Sequence, residues 1–294
     1  NALEPVAPPT QKAIFGYGAT SSYVSMTNLV NSSGVVATDT TGVGTARREL
    51  AATGYGGDKA IFGYGFTGSK VSMTNLVSNN GVVAADVTGV GTARQRLAAA
   101  SYGGDKGLFG YGENSGKISA TNLVSNSGVV ATDTTGVGTA RQYLAATNYG
   151  GNKAIFGYGE TSSYISATNL VSNSGVVATD TTGVGTARAR LEAASYGGDK
   201  AIFAYGFTGS NVSMSNLVSN TGVVSADVTG VGTNRYGLGA ASYGGDKAIF
   251  GYGWTGAYVS MTNLVSSSGT ISADVTGVGT ARRYSAAAGY SLSA

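Results

Sequence analysis

Lys59-Ala60-Ile61-Phe62-Gly63-Tyr64-Gly65 reads as a short buried β-strand that ends in glycines. The stretch recurs, with small changes, from Lys12, Lys59, Lys106, Lys153, Lys200 and Lys247. Each start lies 47 residues after the last, with no insertion or deletion. A fixed period of this length marks a repeat architecture, in which each unit buries its faces against its neighbours.

The second unit shows the rest of the pattern. Lys70–Ser78 opens with the alternation Val71, Met73, and Asn79-Asn80-Gly81 is a turn signal. Val82–Val87 is a β-branched run, Thr88-Gly89-Val90-Gly91 a loop, and Arg94–Tyr102 an Ala-rich run closed by Gly103-Gly104-Asp105. Four short segments with turn residues between them have strand spacing. The Ala-rich run has helix propensity, but it is short and bracketed by glycines.

We letter the Ala-rich strand a, Lys-Ala-Ile-Phe b, Thr-Asn-Leu-Val c and Gly-Val-Val d. The expected fold is all-β: a six-bladed β-propeller over residues 12–294 with four antiparallel strands per blade. The chain enters at a b strand and finishes after an a strand, near Arg282–Tyr290. The C-terminal strand is therefore expected to pair with the N-terminal strand b and close the ring, leaving no open edge there.

Composition narrows the chemistry. The 294 residues include 48 Gly and 3 Pro, with no Cys and no His, and the net charge is +3. Without Cys or His there is no thiol chemistry and no imidazole base or metal ligand. The charge is too small and too dispersed to expect a nucleic acid partner. No apolar run is long enough for a membrane-spanning helix, so membrane insertion is not expected. Residues 1–11 carry Pro5, Pro8 and Pro9 and read as an extended linker or tail. With Asn1 leading, the chain reads as processed or as part of a longer polypeptide.

Two motifs are set aside. Gly63-Tyr-Gly-Phe-Thr-Gly68 and Gly251-Tyr-Gly-Trp-Thr-Gly256 fit the dinucleotide pattern, but a β pattern follows where a helix is needed, so no cofactor is expected. Gly-Gly-Asp occurs about once per unit and reads as a turn. Asp39, Asp86, Asp133, Asp180, Asp227 and Asp274 recur in step with Arg47, Arg94, Arg141, Arg188, Arg235 and Arg282. Eight residues separate each Asp from the next Arg, so the pair reads as a loop clamp, or else as a charged channel mouth able to hold an anion.

The stretch Arg94-Gln-Arg-Leu-Ala-Ala-Ala-Ser-Tyr-Gly-Gly-Asp-Lys-Gly-Leu-Phe-Gly-Tyr-Gly112, with Asn122–Val130 after it, resembles a kelch repeat. The resemblance implies a propeller and covers residues 12–290. Val36, Val83 and Val130 stand where the kelch pattern has Trp, and Gly-Tyr-Gly replaces the double glycine. The near-identical units, with Thr-Gly-Val-Gly-Thr-Ala-Arg, also resemble repeat arrays of bacteriophage tail or other virion proteins. That likeness implies an adhesion role on a virion or extracellular surface, with residues 1–11 meeting other virion proteins.

The few positions that differ between units point to function. After Gly-Tyr-Gly come Ala19, Phe66, Glu113, Glu160, Phe207 and Trp254. Four residues on come Tyr23, Lys70, Lys117, Tyr164, Asn211 and Tyr258. After the repeated Arg come Arg48-Glu49, Gln95-Arg96, Gln142-Tyr143, Ala189-Arg190, Tyr236-Gly237 and Arg283-Tyr284. These are the b–c loop and the d–a junction, expected at one end of the disc. The residue types suit binding hot spots, with aromatic rings exposed. The reading is a non-catalytic module that contacts a glycan or a protein. A purely structural disc is the alternative, and a glycan-active enzyme using Glu113 and Glu160 the second.

Overall fold

A computed structural model describes residues 9–294, and every regular element among them is a β-strand. The first unit supplies β1 (Lys12–Gly16) and β2 (Thr27–Val30). β3 (Ala51–Tyr55), β4 (Lys59–Phe66) and β5 (Lys70–Val77) form the next sheet. β6 (Ala98–Tyr102), β7 (Lys106–Gly110) and β8 (Thr121–Val124) follow, then β9 (Ala145–Tyr149), β10 (Lys153–Gly157) and β11 (Thr168–Val171). β12 (Glu192–Tyr196), β13 (Lys200–Phe207) and β14 (Asn211–Val218) precede β15 (Gly239–Tyr243), β16 (Lys247–Trp254) and β17 (Tyr258–Val265). The last strand, β18 (Ala286–Tyr290), completes the first sheet by pairing antiparallel with β1, Lys12 opposite Tyr290. There are thus six antiparallel sheets of three strands, each in the order a–b–c.

The expected fourth strand is absent as a strand. In the second unit its residues meet β5 only through isolated bridges, Val83 with Val77 and Val87 with Thr74. The Ala84 amide donates to the Leu76 carbonyl and the Val87 amide to the Thr74 carbonyl, each at 2.8 Å. Three residues on one side therefore span two on the other, which breaks the ladder as a bulge does. Asn75 Nδ2 fills the gap, donating to the Ala84 carbonyl at 3.0 Å and to Asp86 Oδ1 at 2.9 Å.

The a strands β3, β6, β9, β12, β15 and β18 pack side by side in that order, and β18 also packs beside β3. Six apolar clusters lie between neighbouring sheets, including one that joins Phe15 of β1 to Ile249 of β16. Each rests on one large ring over one small residue. A Cβ added at Gly63 would stand 2.6 Å from Phe109 Cζ, and one at Gly251 would stand 2.8 Å from Phe15 Cζ. Ala204 holds this position in β13, and there the Tyr205 and Phe250 rings stand 5.5 Å apart, against 5.1 Å for Tyr64 and Phe109. Burying such a Phe contributes about 1.5–3 kcal/mol.

The repeated Arg is a packing device and not a channel charge. Arg47 is fully buried. Its Nε donates to the Tyr64 carbonyl at 2.8 Å, Nη1 to the Thr45 carbonyl at 3.0 Å and Nη2 to Asn75 Oδ1 at 2.6 Å. Its guanidinium stacks 4.3 Å from the centre of the Tyr17 ring, on the preceding sheet. The carboxylate nearest to it is Asp86, at 3.8 Å, not the Asp39 eight residues before it. The clamp thus links an Arg to the Asp of the following unit, and at the ends of the chain it links Arg282 to Asp39 at 3.9 Å. Burial alone would raise the pKa of Asp86, but hydrogen bonds from Thr45 and Asn75 and the Arg47 charge hold it below the usual range.

Candidate functional site

The variable residues come together. In each sheet one d–a junction residue bridges the residue after Gly-Tyr-Gly, which pairs in turn with the residue four positions on. The rows are Arg283–Ala19–Tyr23, Arg48–Phe66–Lys70, Gln95–Glu113–Lys117, Gln142–Glu160–Tyr164, Ala189–Phe207–Asn211 and Tyr236–Trp254–Tyr258. In β4, β13 and β16 the b strand itself runs on to Phe66, Phe207 and Trp254. It does so through a bulge, where Tyr64, Tyr205 and Tyr252 take left-handed conformations with φ 63°, 64° and 64°.

The aromatics are not free-standing. Phe66, Phe207, Trp254, Tyr23, Tyr164, Tyr258, Tyr143, Tyr236 and Tyr284 are all half-buried, as are Lys70, Lys117, Glu113, Glu160, Arg48, Arg96 and Arg190. They pave the face by stacking. Tyr23 meets Phe66 edge-on at 6.0 Å, with the Arg48 guanidinium 5.4 Å and 5.7 Å from the two rings. Phe207 lies between Tyr164 at 6.2 Å and Tyr236 at 5.5 Å. Trp254 meets Tyr258 at 4.8 Å, with Arg283 4.5 Å over the indole. The reason is geometric: rows on adjacent sheets stand side by side, so a long side chain covers its neighbour before it reaches solvent.

The carboxylates on this face are held by cations and amides. Glu113 accepts from Arg96 Nη1 at 2.6 Å, Gln95 Nε2 at 3.2 Å and Lys70 Nζ at 3.3 Å. Lys70 also donates to the Asn114 carbonyl. Burial would raise the Glu113 pKa, but Gln95, Arg96 and Lys70 outweigh it and hold the carboxyl below its ordinary range. Glu160 accepts from Gln142 at 3.3 Å and lies 3.9 Å from Arg190.

The second residue of each d–a junction forms a separate ring around the axis. Glu49, Arg96, Tyr143, Arg190, Gly237 and Tyr284 are all left-handed, with φ from 53° to 65°. Each amide donates to the carbonyl of the member 47 residues before it, and Glu49 donates to Tyr284, so the six bonds return to their start. Their side chains fill the centre. Tyr143 lies between Arg96 at 4.7 Å and Arg190 at 4.5 Å, and its hydroxyl donates to Glu49 Oε1 at 2.9 Å. Three units away, Tyr284 stacks on Tyr143 at 6.1 Å. Burial and the Glu49 carboxylate push the Tyr143 hydroxyl far up, and burial pushes Tyr284 to about 12, so both remain protonated.

Below this plug runs a channel of small residues, with Thr53, Ser101, Asn148, Ser195 and Ser242 among its lining. A cavity of about 80 Å³ is lined by Ala52, Ala99, Ala146, Ala193, Ala240 and Ala287, one from each sheet. Nearer the plug, Glu192 lines two cavities of about 40 Å³ each. It is the one charged residue in the a strands, where the other units carry Ala or Gly, and that break in the repeat is the signal by which sequence reading could have singled it out. Burial pushes its carboxyl up to about 8, against one hydrogen bond from the Ala193 amide.

At the opposite end the Gly-Gly-Asp turns form a second cycle. The Gly56 amide donates to the Asp105 carbonyl at 2.7 Å, and the pattern repeats through Gly244 to Gln11 and Ser291 to Asp58. Pro9 and Thr10 line a cavity of about 70 Å³ at this mouth. The remaining linker positions, 1–8, lie outside the described residues. Comparison with family models found no match, and comparison with curated proteins found none.

Proposed function

We propose that the six sheets are the blades of a closed six-bladed propeller and that the chain is a non-catalytic binding module. The apolar clusters and both backbone cycles repeat between the last sheet and the first as they do elsewhere, and the Arg282–Asp39 clamp joins the two ends of the chain within the first sheet, which supports the ring. The module meets a glycan or protein through the face made by the b–c loops and d–a junctions, in the setting of a virion or extracellular surface.

One observation carries the binding reading: the residues that differ among nearly identical units line up in six adjacent rows at one end. Drift in isolated loops would not supply Phe, Trp, Tyr and Arg stacked into a continuous surface. Glu113 favours a non-catalytic face, since a general acid needs a raised pKa and this one is lowered. The experiment is a glycan array and a protein-capture panel on the intact chain, beside Trp254→Ala with Phe66→Ala. Loss of a captured ligand in the double variant is expected. A ligand whose affinity the double variant leaves unchanged refutes this face.

A further inference from the structure

Charge is unevenly spent on the variable face. Arg48, Arg96, Arg190, Arg283, Lys70 and Lys117 stand against three carboxylates, Glu49, Glu113 and Glu160. Those carboxylates are all engaged, and mostly by the same partner: Arg96 binds Glu49 at 3.1 Å and Glu113 at 2.6 Å. Glu160 lies 3.9 Å from Arg190. Arg48, Arg283 and Lys117 take no part in these pairs, and of the three the two guanidiniums stand on either side of one loop. Among the described residues neither makes an ion pair, and the Nε of each is buried without an acceptor. Among the described residues the Arg283 guanidinium donates only to the Tyr236 hydroxyl, at 3.1 Å.

The two cations flank one loop. Arg283 bridges Ala19, Ala19 bridges Tyr23, and the Tyr23 ring lies under Arg48. Tyr258, stacked on Arg283 at 5.7 Å, donates from its hydroxyl to the Thr20 carbonyl at 2.6 Å. This is also the row in which Ala19 replaces the Phe, Glu or Trp of the other units. Residues 19–23, with Ala19 itself buried, thus lie between two guanidiniums that are each stacked on aromatic rings. A planar guanidinium so held keeps its remaining donors in a fixed fork, which suits carboxylate or sulfate oxygens.

We infer that the ligand of this face is an acidic polysaccharide whose anionic groups meet Arg48 and Arg283 across residues 19–23, while its sugar rings meet the parts of Trp254, Tyr258 and Phe66 that the stacked guanidiniums leave uncovered. The inference rests on the proposal that this face binds a glycan, and it names the class. Aromatic planes supply the apolar sugar contact and the unpaired cations supply the selection for charge.

The test is binding of the intact chain to heparin (sulfated), polygalacturonate (carboxylated) and dextran (neutral), with double-stranded DNA as a second polyanion. Expected is binding of at least one acidic polysaccharide with no binding of dextran, weakened roughly tenfold or more between about 50 and 300 mM salt. Whether heparin or polygalacturonate binds tells which oxyanion is recognised. Arg48→Gln with Arg283→Gln should weaken binding at least roughly tenfold, and Arg48→Lys with Arg283→Lys should retain part of it. The salt dependence of the unaltered protein stands even where the variants fold poorly. Equal, salt-independent binding of dextran overturns the inference but leaves the binding module intact. DNA bound as tightly as polysaccharide overturns it as mere charge attraction. Failure of every glycan, neutral ones included, overturns both the inference and a glycan ligand for this face.

Discussion

Glu192→Gln should make this fold more resistant to alkali. The carboxyl sits in the Ala-lined channel under the Tyr143–Tyr284 plug, with the Ala193 amide as its donor. The nearest cations lining the same cavity are Arg96, which is paired with Glu49 and Glu113, and Arg190, which is shared between Tyr143 and Glu160. Burial raises the folded pKa to about 8, while an unfolded Glu titrates near about 4.3. Between those values the folded state holds more protons than the unfolded one, so stability falls as pH rises. The contribution is complete below about pH 4.3 and declines by about 1.4 kcal/mol per pH unit until the folded pKa is passed. The whole interval is worth about 5 kcal/mol, and water entering the channel beside a half-buried carboxyl reduces it to about 2–3 kcal/mol. Urea midpoints of the unaltered protein and of Glu192→Gln, measured from pH 5 to 9, should converge at the acid end and separate steadily toward the alkaline end. Parallel curves across that range would refute a Glu192 held neutral in the channel.

The other expectations are independent of it. The six clamp aspartates have lowered pKa values, so their contribution is present above the unfolded Asp range and disappears as pH falls through the folded values. Acid unfolding should therefore begin below about pH 4, and Asp133→Asn should soften that pH dependence as read by circular dichroism. Arg94→Met strands Asn122 Oδ1, loses the 4.2 Å stack on Tyr64 and should cost about 3–5 kcal/mol in urea unfolding. Gly63→Ala presses on Phe109 and should cost about 1–3 kcal/mol, while Ala204→Gly at the equivalent position should cost no more than about 1 kcal/mol. Tyr143→Phe removes the bond to Glu49 and should lower the melting midpoint by the equivalent of about 1–2 kcal/mol.

The period, the strand order and the pairing of the last strand with the first were legible in the sequence, because the b strand and its glycines recur without slippage and leave one a strand unmatched at the C-terminus. So was the gathering of variable positions at one end, since alternate connections of an up-and-down sheet must emerge together. The d strand was misread because β-branched Val82 and Val83 favour a strand locally. What cancels it is Asn75, a residue of β5 that takes the place of ladder bonds. The partner of each Arg could not be read from eight-residue spacing either, because the chain crosses to the next sheet between Asp39 and Arg47 and the closing contact is with Asp86. Sequence also led to an expectation of exposed rings at Phe66 and Trp254, whereas packing across adjacent rows leaves them half-buried under Arg48 and Arg283. Local pattern thus determined which residues repeat and in what order. The tertiary structure alone decided which of them share a neighbour, because contacts between sheets, such as Arg47 on the Tyr17 ring, depend on how the units stack and leave no mark within any one of them.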